Sequence, residues 1–425
     1  MDISPQAVEA NRILEDKAPQ IYDLLSEDGK KAFFPKSGIL AQAAEAKDSR
    51  INATIGSALD DKGKPLSIRS ILVNSRLSPR ETVMYSPSYG QKKLREKWLE
   101  RIRDRNPSLE EEKTSLPVVT NAITHGLSIT GRLFVNDMES IIVPDMIWGN
   151  YKLIFQHAKL DQYPLFDKGR FNVKGLREKL KKSSGKQVVL LNFPNNPTGY
   201  SATEQDSDAI VDAIEQSAEA GNRLVVLCDD AYFGLFYEDD VFKESIFARL
   251  AGLNSNVLAV KLDGITKELF SWGLRVGFVT YASKDMADEA AAVLEDKTSG
   301  AVRGNVSNIC THSQFLALRA LEYQPALERQ EKKNFGILKE RYEEVKKIVS
   351  DGKYRNSFEA LPFNSGYFMC VRLKQGDCEA VRKRLLDEFD CGVIAQGDIL
   401  RIAFSSVPKS SLREVFDSIH KACNV

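Results

Sequence analysis

The feature that most constrains the fold of this 425-residue chain is a repeated alternation of short apolar runs with longer amphipathic ones. The apolar runs are PVVTN, SIIVPD, QVVLLNF, RLVVLCDD, NVLAVKLDG and VGFVTYA, and the clearest helix between them is DSDAIVDAIEQSAEAG. Runs this short and this apolar are typical of strands buried on both faces. The pattern therefore predicts an α/β fold, with a mainly parallel sheet covered by helices on both faces.

Three segments are predicted along the chain. Residues 1–50 form an N-terminal arm with short helical patches, 51–314 form a large domain, and 315–425 form a smaller C-terminal domain that the arm joins. INATIG, at 51–56, is predicted to lead into the large domain as a short strand or an extended segment. The C-terminal part has an α+β pattern: a long charged helix from Leu327 to about Val349, then GYFMCVRL as a strand, EAVRKRLLDEF as a helix, ILRIAF as a strand and SSLREVFDSIHKAC as a helix.

Composition argues against several classes of function. The 59 basic and 59 acidic residues balance, so a nucleic-acid partner is not expected. No apolar stretch reaches membrane-spanning length, and the N-terminus carries acids where a signal peptide is basic and then apolar. The six cysteines show no CxxC spacing and the four histidines are not paired at ligand spacing, so neither a disulfide framework nor a metal site is predicted. We therefore expect a cytoplasmic protein without a membrane partner.

The segment KLDGITKELFSWGLRVGF, at 261–278, places Lys267 in a predicted loop between two apolar runs. A lysine there is badly placed for packing but well placed for chemistry, because burial and neighbouring cations can lower its pKa and make it a nucleophile for a carbonyl. Arg275 follows between Gly273 and Gly277, and its guanidinium suits a phosphate that backbone can approach closely. The competing interpretation is an exposed surface loop, the usual setting of a lysine.

Ligands of open parallel sheets bind beyond the carboxyl ends of the strands, so the residues that follow each predicted strand are the candidates for chemistry. They are residues 122–124, 145–150, 194–199 and 229–232, together with Lys267. Asp229 ends an apolar run, where a buried carboxylate needs a cationic partner, although it could also cap a helix. Tyr232 would place a phenol beside whatever Asp229 contacts.

The other strand ends add polar and aromatic groups. Asn196, held before Pro197 in FPNNPTG, offers a donor and an acceptor at a fixed place, or forms a plain turn. Trp148 could stack on a flat ring or belong to the core. Thr124 and the amides of Ile123 and Thr124 begin a predicted helix, which is a site for an anion. A phosphate site, a stacking ring, an acid for a pyridinium nitrogen and a Schiff-base lysine are what pyridoxal phosphate (PLP) requires.

With these motifs in this order, the chain resembles the class I/II aminotransferases of PLP fold type I, the aspartate aminotransferase-like superfamily. The motifs are a GIG-like segment, Y…G…LR, PxxxWGNY, NNPTG, DDAY, TK…GLRVG, RxxxSN and LRIAF, and they span about 51–404. The resemblance implies PLP as the cofactor, amino acid and 2-oxo acid substrates, and a homodimer with shared active sites. It implies cofactor contacts from Tyr85 of the neighbouring subunit, Ile123, Thr124, Trp148, Asn196, Asp229, Tyr232, Thr266, Lys267 and Arg275.

Specific roles follow from the same resemblance. Lys267 is expected to form the Schiff base, Asp229 to pair with the pyridine nitrogen, and Tyr232 to lie near the cofactor's phenolic oxygen with Asn196. Gly56, Asn196 and Arg401 are expected to contact the substrate, with Arg401 on its α-carboxylate.

The chain departs from the family pattern at the phosphate site. Gly264 stands where many relatives carry serine, and Thr266 is expected to supply the hydroxyl instead. Ala122 and Ile123 replace residues that are usually small or hydroxylated, which leaves mainly backbone amides for that contact.

Arg303 bears on the choice of substrate. In dicarboxylate-specific relatives, an arginine four residues before a Ser-Asn pair reaches across the dimer to the distal carboxylate, and Arg303, Ser307 and Asn308 reproduce that spacing. An exposed surface arginine is the alternative. The resemblance thus predicts a ping-pong aminotransferase with glutamate, 2-oxoglutarate or aspartate as one partner. A PLP-dependent β-lyase and a non-catalytic PLP-fold sensor are the competing functions.

Overall fold

The helices and strands follow the predicted alternation. The computed structural model describes residues 4–35, 38–73, 76–109, 112–182 and 184–424. The α-helices are α1 (Pro5–Lys17), α2 (Pro19–Asp23), α3 (Glu27–Lys31), α4 (Ile39–Glu45), α5 (Arg69–Val73), α6 (Pro79–Val83), α7 (Lys92–Arg105), α8 (Ala122–Phe134), α9 (Tyr151–Ile154), α10 (Val173–Lys182), α11 (Glu204–Glu219), α12 (Ile246–Ala251), α13 (Ile265–Glu268), α14 (Asp288–Asn305), α15 (Thr311–Glu322), α16 (Gln324–Val349), α17 (Cys378–Phe389) and α18 (Leu412–Cys423). The strands are β1 (Ile51–Asn52), β2 (Val118–Thr120), β3 (Ser140–Pro144), β4 (Lys159–Tyr163), β5 (Phe166–Asp167), β6 (Arg170–Phe171), β7 (Lys186–Asn192), β8 (Arg223–Asp229), β9 (Val257–Gly264), β10 (Gly277–Ala282), β11 (Phe358–Ala360), β12 (Met369–Leu373), β13 (Cys391–Gly392), β14 (Ile394–Gln396) and β15 (Ile399–Ile402).

A mainly parallel sheet forms the centre of the large domain, which confirms the predicted fold class. Within the described residues it has seven strands in the order β2-β10-β9-β8-β7-β3-β4. Only β10 runs antiparallel to its neighbours there. Both β7 and β8 bury every residue after their first, and β10 is buried throughout, so helices cover both faces. Each of the six apolar runs in the sequence forms one of these strands.

A second, smaller sheet lies in the C-terminal part. Its order within the described residues is β11-β12-β15-β14, all antiparallel, and α17 and α18 pack together beside it. The long helix α16 begins at Gln324 and ends at Val349, close to the predicted bounds. The α+β pattern read from the sequence is thereby confirmed.

The segment after the N-terminal arm joins the C-terminal part through a short strand. Ile51 and Asn52 of β1 pair in parallel with Cys391 and Gly392 of β13. The start of the predicted large domain therefore carries a backbone connection to the smaller one, and the boundaries near 50 and 314 remain predictions. Among the described residues, no helix combines the length and apolarity needed to cross a lipid bilayer.

The loop predicted around Lys267 is wrong in one respect. The residues Ile265–Glu268 form a single helical turn, closed by a hydrogen bond from the amide of Leu269 to the carbonyl of Ile265 at 3.0 Å. We call α13 the lysine turn. β9 ends at Gly264, immediately before this turn, where the backbone of Val276 and Gly277 approaches too closely for a side chain.

Candidate active site

A cavity of about 670 Å³ opens at the carboxyl ends of the central strands. Most of the residues predicted from the sequence line it. They come from the ends of five central strands or the segments that follow them, from the segment after β1 and from the C-terminal part: Gly56, Ile123, Thr124, Trp148, Asn196, Asp229, Tyr232, Thr266, Lys267, Arg275 and Arg401. Part of the wall comes from α4 of the N-terminal arm, through Ile39, Leu40 and Ala43. No pattern in the sequence indicated that wall, because it depends on how the arm packs.

Asp229 is the buried acid of this cavity. It is the last residue of β8 and is 2% exposed. The amide of Ala231 donates to its Oδ1 at 3.1 Å, and the hydroxyl of Tyr151 donates to its Oδ2. Burial raises the pKa of Asp229 to about 6, while the bond from Tyr151 and the charge of Lys267 act against that shift. The carboxyl is fixed at both oxygens and faces a cavity that holds a lysine.

Tyr151 is a site residue that the sequence reasoning missed. It is 1% exposed, lines the cavity, and packs edge-on against Trp148 with ring centroids 5.7 Å apart. Its signal was present in the WGNY motif, where the tyrosine begins α9 just beyond Trp148. A phenol at that place orients Asp229 and supports one edge of the Trp148 ring.

Lys267 faces the cavity from the lysine turn. Its Nζ lies 4.9 Å from the centroid of the Tyr232 ring. Burial lowers the pKa of Lys267 to about 8, the charge of Asp229 opposes that change, and the charge of Arg275 adds to it. The amine is therefore neutral at a lower pH than an ordinary lysine, as a nucleophile or proton acceptor requires.

Close backbone contacts shape the part of the cavity where α8 begins. A Cβ added to Gly277 would lie 2.6 Å from the carbonyl carbon of Ala122, so only glycine lets β10 approach this helix. A Cβ at Gly264 would lie 2.6 Å from the carbonyl oxygen of Val276. The serine that many relatives carry at this position does not fit this backbone, which gives a physical reason for the departure noted in the sequence.

Several buried polar atoms around the cavity lack a hydrogen-bond partner. They are Thr266 Oγ1, Trp272 Nε1 and Arg401 Nε, none of which is bonded within the described part of the chain. Unpaired buried donors are costly, so such a cluster around one cavity is typical of a binding site for a polar ligand. Trp272 was not predicted, because nothing in its sequence context separates it from a core tryptophan.

Arg401 is a buried cation without an acidic partner. It is 4% exposed, and its guanidinium donates to Asn196 Oδ1 at 3.4 Å and to the carbonyl of Thr54 at 3.1 Å. It lies over the ring of Phe368, 4.4 Å from the centroid, and forms an ion pair with none of the described carboxylates. Burial lowers the pKa of Arg401 below its ordinary value. A buried charge without a close counter-ion favours the binding of an anion in the cavity.

Asn196 and Tyr232 lie next to each other beside Arg401. Asn196 is 8% exposed. Its backbone amide donates to Asn192 Oδ1 at 2.9 Å, and this hydrogen bond fixes the turn after β7. Tyr232 is 5% exposed, and burial raises its pKa, so its hydroxyl stays protonated near neutral pH. The two side chains offer hydrogen bonds at one side of the cavity.

Tyr85 and Arg303 are not brought into the cavity that the described residues form. Tyr85 is 89% exposed. Arg303 is exposed near the end of α14, where its guanidinium donates to Ser307 Oγ at 3.2 Å. In a single chain both side chains are exposed to solvent and neither lines this cavity.

The polar groups that line the cavity match the polar groups of PLP. An anionic phosphate suits the N-terminal amides of α8 together with the unpaired Thr266 hydroxyl and the guanidinium of Arg275. A ring nitrogen suits the buried carboxyl of Asp229, and an aldehyde suits the amine of Lys267. These groups line one cavity of sufficient size for the cofactor and a small substrate.

Comparisons with known proteins identify the family of this chain. Residues 49–419 match the family described as aminotransferase class I and II. The mitochondrial aspartate aminotransferase of Schizosaccharomyces pombe is 24% identical over 386 residues, which cover 87% of this chain and 84% of that protein. The aromatic-amino-acid aminotransferase 2 of Thermococcus litoralis is 25% identical over 198 residues, which cover 46% and 48% of the two chains.

Solved structures show the same fold. An aminotransferase from Anaerococcus prevotii superposes with a TM-score of 0.82 at 21% identity, covering 95% of this chain and 100% of that one. The kynurenine aminotransferase of Pyrococcus horikoshii, in complex with PMP, gives a TM-score of 0.77 at 18% identity, covering 95% and 98%. Members of the matched family use PLP, and the family match extends over most of the sequence. This chain therefore belongs to the class I and II aminotransferases and is a PLP-dependent transferase.

Proposed function

We propose that this protein transfers an amino group between an L-amino acid and a 2-oxo acid in two half-reactions, with glutamate or aspartate as one substrate and 2-oxoglutarate as the favoured acceptor. The observation that carries the proposal is Arg401, a buried cation without an acidic partner in the cavity that also holds Lys267 and Asp229. The α-carboxylate common to amino acids and 2-oxo acids supplies the anion that Arg401 lacks.

The residues that would hold the cofactor line the cavity, except for Tyr85, which a second copy would supply. Bound PLP supplies an electron sink for the pair of electrons left at the substrate carbon. Asp229 would hold a proton on the ring nitrogen, Asn196 and Tyr232 would bind the phenolic oxygen, and Trp148 would cover the ring. The phosphate would be held by Ile123, Thr124, Thr266 and Arg275, and by Tyr85 of a second copy.

Lys267 moves the proton in this proposal. Its amine, once free of the cofactor, would take the proton from the substrate's Cα and return it to the carbon on the other side of the amino nitrogen. The lowered pKa of Lys267, about 8, supports this role, because a base works best when its pKa lies near the working pH.

Arg401 orients the substrate for that transfer. A guanidinium that binds the α-carboxylate through two parallel hydrogen bonds fixes the rotation about the bond between Cα and the amino nitrogen. The Cα–H bond then faces Lys267, so the proton is lost rather than the carboxylate. Gly56 lines the cavity without a side chain and leaves room for the substrate. The expected result is deprotonation in preference to decarboxylation.

Arg303 would select dicarboxylates in a homodimer. Its exposure in a single chain is compatible with a side chain that reaches the cavity of a second copy. A charge-assisted contact of this kind in a closed site is worth about 2–5 kcal/mol. Arg303→Ala should lower kcat/KM for glutamate and aspartate by roughly 30-fold or more while sparing alanine and aromatic substrates. Equal losses for all substrates would assign Arg303 to the dimer interface instead.

A panel of amino acids tests the reaction itself. Each amino acid is mixed with the purified protein and 2-oxoglutarate, and the cofactor's absorbance and the glutamate formed are followed. The proposal expects both to change for at least one donor. Release of ammonia and pyruvate from a cysteine-type substrate without any oxo acid would favour the β-lyase, and absence of turnover with every donor would favour the sensor.

The compartment also stays a prediction. The six cysteines are all free thiols, and Cys228, Cys370, Cys378 and Cys391 are buried. Free buried thiols support the reducing cytoplasm that the sequence predicts.

A further inference from the structure

The lysine turn carries two consecutive charged side chains that face different surroundings. Lys267 lines the large cavity, whereas Glu268 lines a second cavity of about 340 Å³ together with Arg105 and Phe270. Consecutive side chains on a helix diverge by about 100°, so one turn can place them on separate sides. Whatever holds Glu268 in place therefore also sets the orientation of Lys267.

Glu268 lies at the buried end of a series of ion pairs. Its side chain is 3% exposed, and its Oε2 lies 3.5 Å from Nε of Arg101 on α7. Arg101 also pairs with Glu331 of α16 at 2.6 Å, and Glu331 lies 3.1 Å from Arg105. These contacts join the lysine turn to two long helices. Burial raises the pKa of Glu268, and the charge of Arg101 is the largest influence that opposes the rise.

The turn has little stability of its own. A helix of four residues gains few backbone hydrogen bonds for the dihedral angles that it fixes, so its orientation depends on side-chain contacts. Ile265, Thr266 and Glu268 are the buried residues of the turn, and of these three only Glu268 carries a charge. Orientation matters at Lys267, since a displacement of about 1 Å in a reacting group can cost roughly 100-fold in rate.

We propose that Glu268 is a positioning residue for Lys267, and that its ion pair with Arg101 fixes the direction from which the Lys267 amine reaches the substrate carbon. The inference rests on the role proposed above for Lys267. Because Arg401 lies on another element, loss of the Glu268 charge should act on kcat rather than on KM.

A matched control lies on the same helix. Arg95 of α7 pairs with Glu295 of α14 at 2.6 Å, and the two side chains are 8% and 17% exposed. Glu268→Gln and Glu295→Gln each keep the side-chain shape and remove one carboxylate from a buried pair with an arginine of α7. They differ in that only Glu268 belongs to the lysine turn.

The experiment compares the two variants as holoenzymes. Glu268→Gln should lower kcat by roughly 10- to 100-fold with KM changed less than about 3-fold, and should shift the pH at which the cofactor's visible absorbance changes. Glu295→Gln should lower Tm but keep kcat and the absorbance profile. A Glu268→Gln variant with a lower Tm but an unchanged kcat and an unchanged absorbance profile would overturn the proposal. Equal losses of kcat in both variants would also overturn it.

A second variant covers the case in which Glu268→Gln does not fold. Arg101→Lys keeps the positive charge but loses the planar guanidinium, so it should lower kcat by roughly 3- to 10-fold. Unchanged kcat in that variant would contradict the proposal. Borohydride labelling of the wild type separates the two levels: a label away from Lys267 refutes the proposed function, whereas a label on Lys267 with unaffected variants refutes this inference alone.

Discussion

Lys261 and Lys267 lie on one strand-and-turn segment, yet their surroundings are opposite. Lys261 is 1% exposed, forms an ion pair with Asp230, and has its Nζ 3.5 Å from Asp263 Oδ2. Burial acts to lower its pKa, but the two carboxylates outweigh burial and the net pKa is raised. Lys267 faces a cavity, and burial lowers its pKa to about 8. A close carboxylate thus holds Lys261 as a structural cation, whereas no described carboxylate lies within ion-pair distance of Lys267.

The neighbouring aspartates repeat the contrast. Asp229 faces the cavity and is bound by Tyr151 and the amide of Ala231. Asp230 faces the other way, where Ser245 donates to its Oδ2 at 2.6 Å and Lys261 pairs with it. The end of β8 supplies Asp229 to the cavity and Asp230 to a buried structural cluster, and the segment of β9 and α13 supplies Lys267 to the cavity and Lys261 to the cluster.

The largest effect is expected at Lys267. Lys267→Ala removes the group proposed to bind the cofactor covalently and to move the proton, so the rate of transamination should fall by at least about 10⁴-fold. Circular dichroism and Tm should remain close to the wild type, because no described carboxylate is left unpaired at close range. A variant that keeps one-tenth or more of the rate would place the chemistry elsewhere.

Lys261 should show the reverse pattern. Lys261→Met leaves Asp230 and Asp263 buried without their cation, which should cost about 3–5 kcal/mol in the free energy of unfolding. The rate per folded molecule should stay near that of the wild type. Urea unfolding and kcat together measure the two effects, and a large loss of kcat with unchanged stability would erase the distinction between the lysines.

Asp229 and Asp230 test whether the residue that faces the cavity, and not its neighbour in the buried cluster, takes part in the reaction. Asp229→Asn should lower kcat by at least about 10²-fold, since the ring nitrogen would lose the charge that keeps it protonated. Asp230→Asn should mainly lower Tm. Similar kcat values for the two variants would mean that Asp229 serves as a helix cap or a structural acid.

The smallest effect concerns pH. The folded-state pKa of Lys267 is lowered, so its amine becomes neutral as the pH rises through about 8. The rate at which cofactor-free protein gains visible absorbance from added PLP should rise about 10-fold between pH 7 and 9 and then level off. An ordinary lysine would instead continue to gain rate up to about pH 10. Continued acceleration above pH 9 would show that the amine is not perturbed.

The sequence could predict the central strands because residues such as those of β7 and β8 are apolar on both faces. It could not predict β4, because Lys159–Tyr163 is mostly polar and only Tyr163 is buried. Site residues that directly follow strands were predicted from the rule that ligands bind at carboxyl ends. Tyr151, Trp272 and the wall from α4 were missed, since their places depend on how separate segments pack.

The lysine turn shows the same limit at closer range. The chemistry of Lys267 was predicted from its neighbours in sequence, but the helical turn and the burial of Glu268 were not. A glutamate next to a lysine is normally exposed. Glu268 is buried because α7 packs against the turn and brings Arg101 beside it, which the local sequence does not indicate.

Borohydride reduction tests the central claim most directly. The purified protein should be yellow with bound PLP, and reduction should fix the cofactor to one lysine that peptide mapping by mass spectrometry identifies. The account predicts the label on Lys267, with Lys261 unlabelled although it lies on the same segment. A label on Lys261, or on any other lysine, would contradict the assignment of the active site.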